Sequence, residues 1–237
     1  MPTELRLISL QIGRPAEHTS TIADGKESEW VSSIWREAVA GRVFLGRTDL
    51  AGNAQADLKN HGGPDKAVCC YAAAHYPSWR SSLGLSDTEF GYGAFGENFT
   101  LTDASEEAIC LGDIYTVGTA KVQVSQPRQP CWKVGRRWNR EGLPGEMIAT
   151  GRTGFYLRVL EEGEVGVGDT LTLLERSMPD HTIAFLNDAL YVRKTDAVQD
   201  EALSRLPLLA EAWRRTFRRR AGLLKWRAEE KGVQNPD

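Results

Sequence analysis

Between residues 6 and 174 the chain returns repeatedly to short, β-rich runs separated by glycine-containing turns. The runs fall at 6–12, 29–35, 41–45, 66–71, 98–102, 114–117, 121–124, 155–160 and 169–174, with Gly41, Gly46, Gly118, Gly163 and the Gly112-Asp113 pair as punctuation. Many short strands at this spacing predict a mainly β fold, a barrel or closed sandwich, because closure removes unpaired strand edges. In the first run Ile8, Leu10 and Ile12 alternate onto one face, the pattern of a half-buried strand, and Gly13-Arg14-Pro15 ends it. One short helix is expected over 72–83, with His75, Tyr76 and Trp79. The polar, glycine-rich stretch 49–65 reads as a loop long enough to be functional.

The pattern changes after Arg176. Met178-Pro179-Asp180 reads as a linker into three helical segments, near 182–192, 196–206 and 207–221. Ile183, Leu186 and Leu190 share a face, as do Leu209, Trp213 and Phe217. Pro207 suits a first turn and Gly222 a C-terminal stop. Three short helices with so few core residues are expected to pack on the barrel rather than to fold alone. The division predicted is a barrel over 1–176 and a helical module over 177–237, its last residues, 229–237, frayed.

Lys and Arg total 29 against 32 Asp and Glu, a net charge of -3, so no global field draws the chain to nucleic acid or to an anionic membrane. No apolar run approaches the roughly 18 residues needed to span a bilayer, and the start of the chain lacks a charged-then-apolar leader pattern, so a cytoplasmic location is expected. The four cysteines include no CxxC pair; adjacent Cys69 and Cys70 would face opposite sides of a strand and are expected to be structural. Gly91-Tyr92-Gly93-Ala94-Phe95-Gly96 matches G-x-G-x-x-G letter for letter, but a strand, not a helix, is expected after it, so it is rejected as a dinucleotide fingerprint. The run Arg214-Arg215-Thr216-Phe217-Arg218-Arg219-Arg220 is expected to form a solvated cationic face beside the Trp213 and Phe217 stripe.

Two stretches carry chemistry. In Gln126-Pro127-Arg128-Gln129-Pro130-Cys131-Trp132-Lys133, the proline before Cys131 favours extended or turn backbone there. Arg128, Lys133, Arg136 and Arg137 are cationic neighbours of the kind that favour a thiolate, the form that attacks electrophiles and binds metals. On this stretch alone a buried structural cysteine is equally acceptable. In His61-Gly62-Gly63-Pro64-Asp65-Lys66, paired glycines let backbone amides approach an anion and the lysine adds a point charge.

With Gln55-Ala56-Asp57, His75-Tyr76, Gly96-Glu97-Asn98, Gly112-Asp113 and the run from Thr153 to Leu160, these stretches cover nearly the whole chain. In order and spacing they resemble the MOSC domain, the molybdenum cofactor sulfurase C-terminal domain, in its YiiM-like branch with a three-helix tail. The resemblance implies a β-barrel with short helices that binds the molybdopterin-type molybdenum cofactor, with Cys131 bonded to molybdenum. It implies cofactor contacts from Arg14, Arg36, His61, Gly62, Gly63, Lys66, Asn98 and Arg128, with His61 orienting a phosphate or donating a proton. It further implies reduction of small N-hydroxylated compounds such as N-hydroxylaminopurines, with electrons from a flavin-containing reductase. A carrier of cofactor or sulfur without substrate turnover is the alternative, and a metal-free adaptor docking through Trp213, Phe217 and the arginine run is a third reading. Monomer and homodimer are both compatible with the sequence. Two positions depart from the branch: Asn53 stands where an aspartate is expected, and Arg36 where a lysine is usual.

Overall fold

The computed structural model describes residues 3–21 and 26–233. The strands are β1 (Glu4–Ile12), β2 (Ala16–Thr21), β3 (Glu27–Ser32), β4 (Glu37–Ala38), β5 (Val43–Leu45), β6 (Val68–Ala72), β7 (Phe99–Leu101), β8 (Ile114–Val117), β9 (Ala120–Pro127), β10 (Phe155–Glu161), β11 (Gly163–Val165) and β12 (Thr170–Glu175). The α-helices are α1 (Leu58–His61), α2 (Tyr76–Leu83), α3 (Trp132–Arg137), α4 (Leu143–Ala149), α5 (Ile183–Tyr191), α6 (Ala197–Ser204) and α7 (Glu211–Val233). Seven strands close in the order β12-β8-β9-β10-β6-β7-β1, with β1 returning to β12. Every pair in the ring is antiparallel except β6 with β7. The fold is a mixed, mainly β barrel with short helices and C-terminal helices. No helix among the described residues is long and apolar enough to cross a membrane.

The first strand shows why periodicity alone misplaced a face. Leu5, Leu7 and Leu10 enter the core, whereas Ile8 and Ile12 are only half-buried. An irregularity between Leu7 and Ser9 opposite β7 shifts the register, and a shift of one residue moves side chains to the other face. Strand β6 keeps strict alternation. Val68, Cys70 and Ala72 fill the barrel core, while Tyr71 joins a second cluster with Tyr76, Trp79, Phe90 and Phe95 outside the barrel wall. That aromatic cluster fixes α2 and the 91–96 loop against the barrel. At Gly96, with φ 75°, a Cβ would lie 2.8 Å from Ile34 Cγ1, so this close, left-handed passage requires glycine.

The three C-terminal helices pack Leu186, Leu190, Leu203, Leu209, Trp213 and Phe217 into a third cluster that includes Leu111 from the barrel side. Thr182 and Asp196 cap α5 and α6 through their side chains. The third helix differs from expectation at both ends. Pro207 precedes a turn rather than opening the helix: Leu209 N–H donates to Leu206 O and Ala210 N–H to Ser125 O, which ties this turn to β9 before α7 begins. Gly222 does not stop the helix, which continues to Val233; of the expected frayed tail, residues 234–237 lie outside the described residues. No φ in the left-handed region occurs at Gly222, and a Cβ there would meet nothing within 4 Å. Gly222→Ala should therefore stabilise the protein by about 1 kcal/mol, the ordinary helix-interior difference between the two residues, read as a higher denaturation midpoint.

Candidate active site

Strand β9 runs three residues further than the sequence pattern indicates, to Pro127, and so delivers Arg128 and Cys131 to one mouth of the barrel. The bulge that pairs Tyr156 with Gln126 and Leu157 with Val124 turns this end of the strand. Cys131 is extended, at φ −107° and ψ 163°, as expected, and α3 starts at the next residue. Its thiol is half-buried, whereas Cys69, Cys70 and Cys110 are buried.

Two connected cavities meet at Cys131. An inner slot of about 50 Å³ is lined by Ser33, Arg36, Cys69, Phe95, Asn98 and Arg128 among others. An outer cleft of about 760 Å³ is lined by Trp30, Lys59, Lys66, Trp132 and Arg215 among others. Asp57, His61, Cys131, Lys133 and Tyr156 belong to both. A reactant at Cys131 is therefore reached through the wide cleft and backed by the narrow slot.

The slot is built to hold negative charge. Arg128 is 6% exposed; its Nη2 donates to Phe95 O at 2.6 Å, but Nη1 is buried without a hydrogen-bond partner. Arg36 donates through Nη1 to Asn53 Oδ1 at 2.7 Å, and its Nε is likewise buried and unpartnered. Arg137 donates to Ile34 O and Gly93 O at 2.6 and 2.7 Å, bracing the 91–96 loop. Burial lowers the pKa of Arg137 to about 10, which leaves it cationic at neutral pH. Glu97 is fully buried and accepts from Gly93 N, Phe95 N, Thr100 Oγ1 and Tyr76 Oη. Buried donors without acceptors are rare in folded proteins, and two guanidinium groups aimed into one slot mark the place of an anionic ligand.

Asn53 is explained by the same network. Its Oδ1 accepts from Gly13 N and Arg36, while its Nδ2 donates to Asp49 Oδ1. An aspartate here would lack that donor and would face the Asp49 carboxylate. The asparagine thus steers the fork of Arg36, so the two departures from the family pattern sit in direct contact.

The remaining predicted residues divide sharply. His61 lines both cavities, and its pKa is lowered to about 4, first by burial and then by Arg128, Lys133 and Lys66. It is neutral at pH 7 and offers a hydrogen-bonding imidazole; only a nearby anion would bring it into range as a proton donor. Lys66 lines the outer cleft with its ammonium on Asn60 O, and burial lowers its pKa. Asn98 lines the slot, yet its side chain is occupied: Oδ1 accepts from Cys69 N and Nδ2 donates to Gln11 O. Gly62 directs its amide to Leu58 O at 3.2 Å, so the paired glycines shape the loop, and Gly62 is not the expected amide cradle. Gly63 lines neither cavity and caps the turn that carries Lys66. Arg14 is not brought to the slot: it is exposed, with Nε on Gly52 O.

Cys69, expected to be structural, is a slot residue, and burial raises its thiol pKa. Tyr156, which the sequence reading did not single out, lines both cavities, and burial raises its pKa as well. The alternation of β6 already placed Cys69 opposite the core; what lies on that side depends on long-range packing. Among the described residues no group of three or more His, Cys, Asp or Glu side chains is placed to hold a metal ion.

Residues 57–172 match the MOSC domain and residues 182–220 the YiiM-like, 3-alpha helix domain. The chain is 40% identical over 213 residues to the uncharacterized protein YflK of Bacillus subtilis, covering 89% of this chain and 92% of that one. This chain belongs to the MOSC family. Its architecture matches the crystal structure of YiiM from Geobacillus stearothermophilus with a TM-score of 0.75 and 35% identity, over 92% of this chain and 99% of that chain. A protein named Reductase from Gibberella moniliformis is 34% identical over 76% of this chain, which spans 32% of that longer protein. The MOSC and YiiM-like family is linked to reductases that bind molybdenum cofactor.

The electrostatics of the slot give a direct test through His61. With an ordinary pKa of 6.5 and a folded value of about 4, the neutral form adds stability that is complete above pH 6.5 and is lost as pH falls through 4. His61→Asn should flatten the pH dependence of stability over that window, and in the wild type the His61 ring resonances should titrate near pH 4.

Proposed function

We propose that this MOSC protein is an oxidoreductase that uses a molybdenum cofactor to reduce N-hydroxylated compounds. The observation that carries this reading is Cys131 at the junction of slot and cleft, with two guanidinium groups in the slot that each keep one buried N–H without an acceptor. Those residues fit an anionic, phosphate-bearing pterin with a soft metal. Cys131 would supply the thiolate to molybdenum, an extension to this metal of the preference of soft ions for sulfur. Arg36, Arg128 and Lys66 would neutralise the cofactor's negative groups, and neutral His61 would hydrogen-bond to them. Arg14, expected in this set, has no part in the reading because of its position.

When bound, the cofactor supplies two-electron redox chemistry and a site for an oxygen atom. The overall change breaks the N–O bond, takes up two electrons and two protons, and leaves the N–H compound and one water. Electrons would come from a flavin-containing reductase, and the wide cleft gives a small N-hydroxylated substrate such as an N-hydroxylaminopurine access to Cys131. The chain's own contribution is position, charge and access: Cys131 is placed by the end of β9 and the start of α3, the slot arginines by the loop carbonyls and Asn53, and the cleft by helices from both the barrel and α7. In this reading residues 1–176 form the cofactor-binding unit of a cytoplasmic enzyme and 177–237 the module that closes one side of its cleft.

Protein from a cofactor-competent host should contain near-stoichiometric molybdenum and oxidisable pterin, measured by mass spectrometry and fluorescence. Cys131→Ala should lose the metal and the reductase activity while melting within a few degrees of the wild type. Metal and activity retained in the variant would overturn the role of Cys131; metal without activity toward N-hydroxylated bases would support a carrier.

A further inference from the structure

The outer cleft is far larger than the slot it feeds, and one wall of it comes from the helical module: Ala212, Arg215 and Thr216 on α7. The charges around this space are unequal. Among the described residues Lys59, Lys66, Lys133 and Arg215 line it against the one carboxylate of Asp57, and His61 is held neutral. The arginine run of α7 is sorted accordingly. Arg214 and Arg218 pair with Glu211, and Arg220 pairs with Asp200 inside the module. Arg215 and Arg219, one turn apart and both exposed, make no ion pair among the described residues. They line an adjoining hollow of about 470 Å³ that shares Arg215 and Thr216 with the cleft.

A solvated face would leave its cations pointing away from any concavity. Here Arg215 borders the concavity that ends at Cys131, and Arg219 borders the hollow that opens beside it. A guanidinium fork matches phosphate oxygens two at a time, and lysines opposite it would add point charges. We propose that α7 completes the cleft as a phosphate-ester subsite, in which Arg215, supported by Arg219 and by Lys59 and Lys133 across the cleft, grips the phosphate of a molecule whose other end lies at Cys131. The phosphate ester is either part of the cofactor or a substrate in nucleotide form. The proposal rests on the reading that the cleft serves Cys131, and it assigns the helical module a role in that site.

The test uses adenosine monophosphate as the probe, titrated into the full-length purified protein and followed by calorimetry, which requires no turnover. Wild-type affinity should fall steeply with added salt. Arg215→Ala should weaken binding about tenfold, the loss of one charge-assisted contact, and Arg215→Lys should recover part of it, with unchanged melting temperatures. Arg218→Ala removes the same charge from the same helix away from the cleft and should leave the affinity within about twofold, since a paired, exposed arginine is not part of the subsite. Pterin content separates the two sources. Loss of pterin from purified Arg215→Ala assigns the phosphate to the cofactor, and pterin retained with weakened nucleotide binding assigns it to the substrate. The proposal is overturned if Arg215→Ala changes neither nucleotide affinity nor pterin content, or if Arg218→Ala has the same effect. Because nucleotide binding and pterin retention are measured apart from reductase activity, an absence of N-hydroxy reduction would overturn the proposed function without deciding the fate of this subsite.

Discussion

The site depends on an imbalance of buried charge. Arg36, Arg128 and Arg137 are gathered around the buried carboxylate of Glu97, which is engaged by backbone amides and by the hydroxyls of Thr100 and Tyr76. Isolated charges in a protein interior are costly, so each guanidinium is fastened to carbonyls or to Asn53. The fastening is incomplete, because Arg128 Nη1 and Arg36 Nε have no acceptor. A fold that holds this arrangement is strained electrostatically without an anion and relieved by one, which makes ligand binding and stability two aspects of the same interaction.

The barrel exists in a form suited to that task. Its closure leaves the β9 end free to carry Cys131 into the mouth, and the parallel β6–β7 pair brings Cys69 beside the 91–98 segment. The aromatic cluster of Tyr71, Tyr76, Phe90 and Phe95 then clamps that segment from outside the barrel. The network is thus built from elements far apart in the chain, with the cofactor-facing groups on loops and strand ends and the rigid packing behind them.

The helical module extends the same logic. Its own cluster of leucines with Trp213 and Phe217 docks through Leu111 and through the Ala210 to Ser125 backbone bond, so α7 is anchored next to β9. One face of α7 is apolar and buried; the opposite face carries the arginine run, of which Arg215 reaches the cleft and Arg219 the hollow beside it. The adaptor reading, in which Trp213 and Phe217 dock a partner, does not fit, because these side chains are 1% and 0% exposed and already occupied within the module.

Local sequence determined the mainly β class, the helical character of the last quarter, the extended backbone at Cys131 and the rejection of a dinucleotide fingerprint. Each of these follows from short-range physics: alternation, capping side chains, or the fixed backbone dihedral and missing donor of a proline. Tertiary structure decided the rest. A bulge in β1 moved Ile8 away from the core while Ile12 still packs against it, helix packing carried α7 through Gly222, and the glycine pair at 62–63 became loop scaffolding once the Gly62 amide was bonded to Leu58. Cys69 and Tyr156 joined the slot while Arg14 did not, because which strand face meets which loop is set by contacts between residues distant in sequence. Spacing along a chain specifies which side of a strand a residue occupies; only the closed barrel specifies what lies on that side.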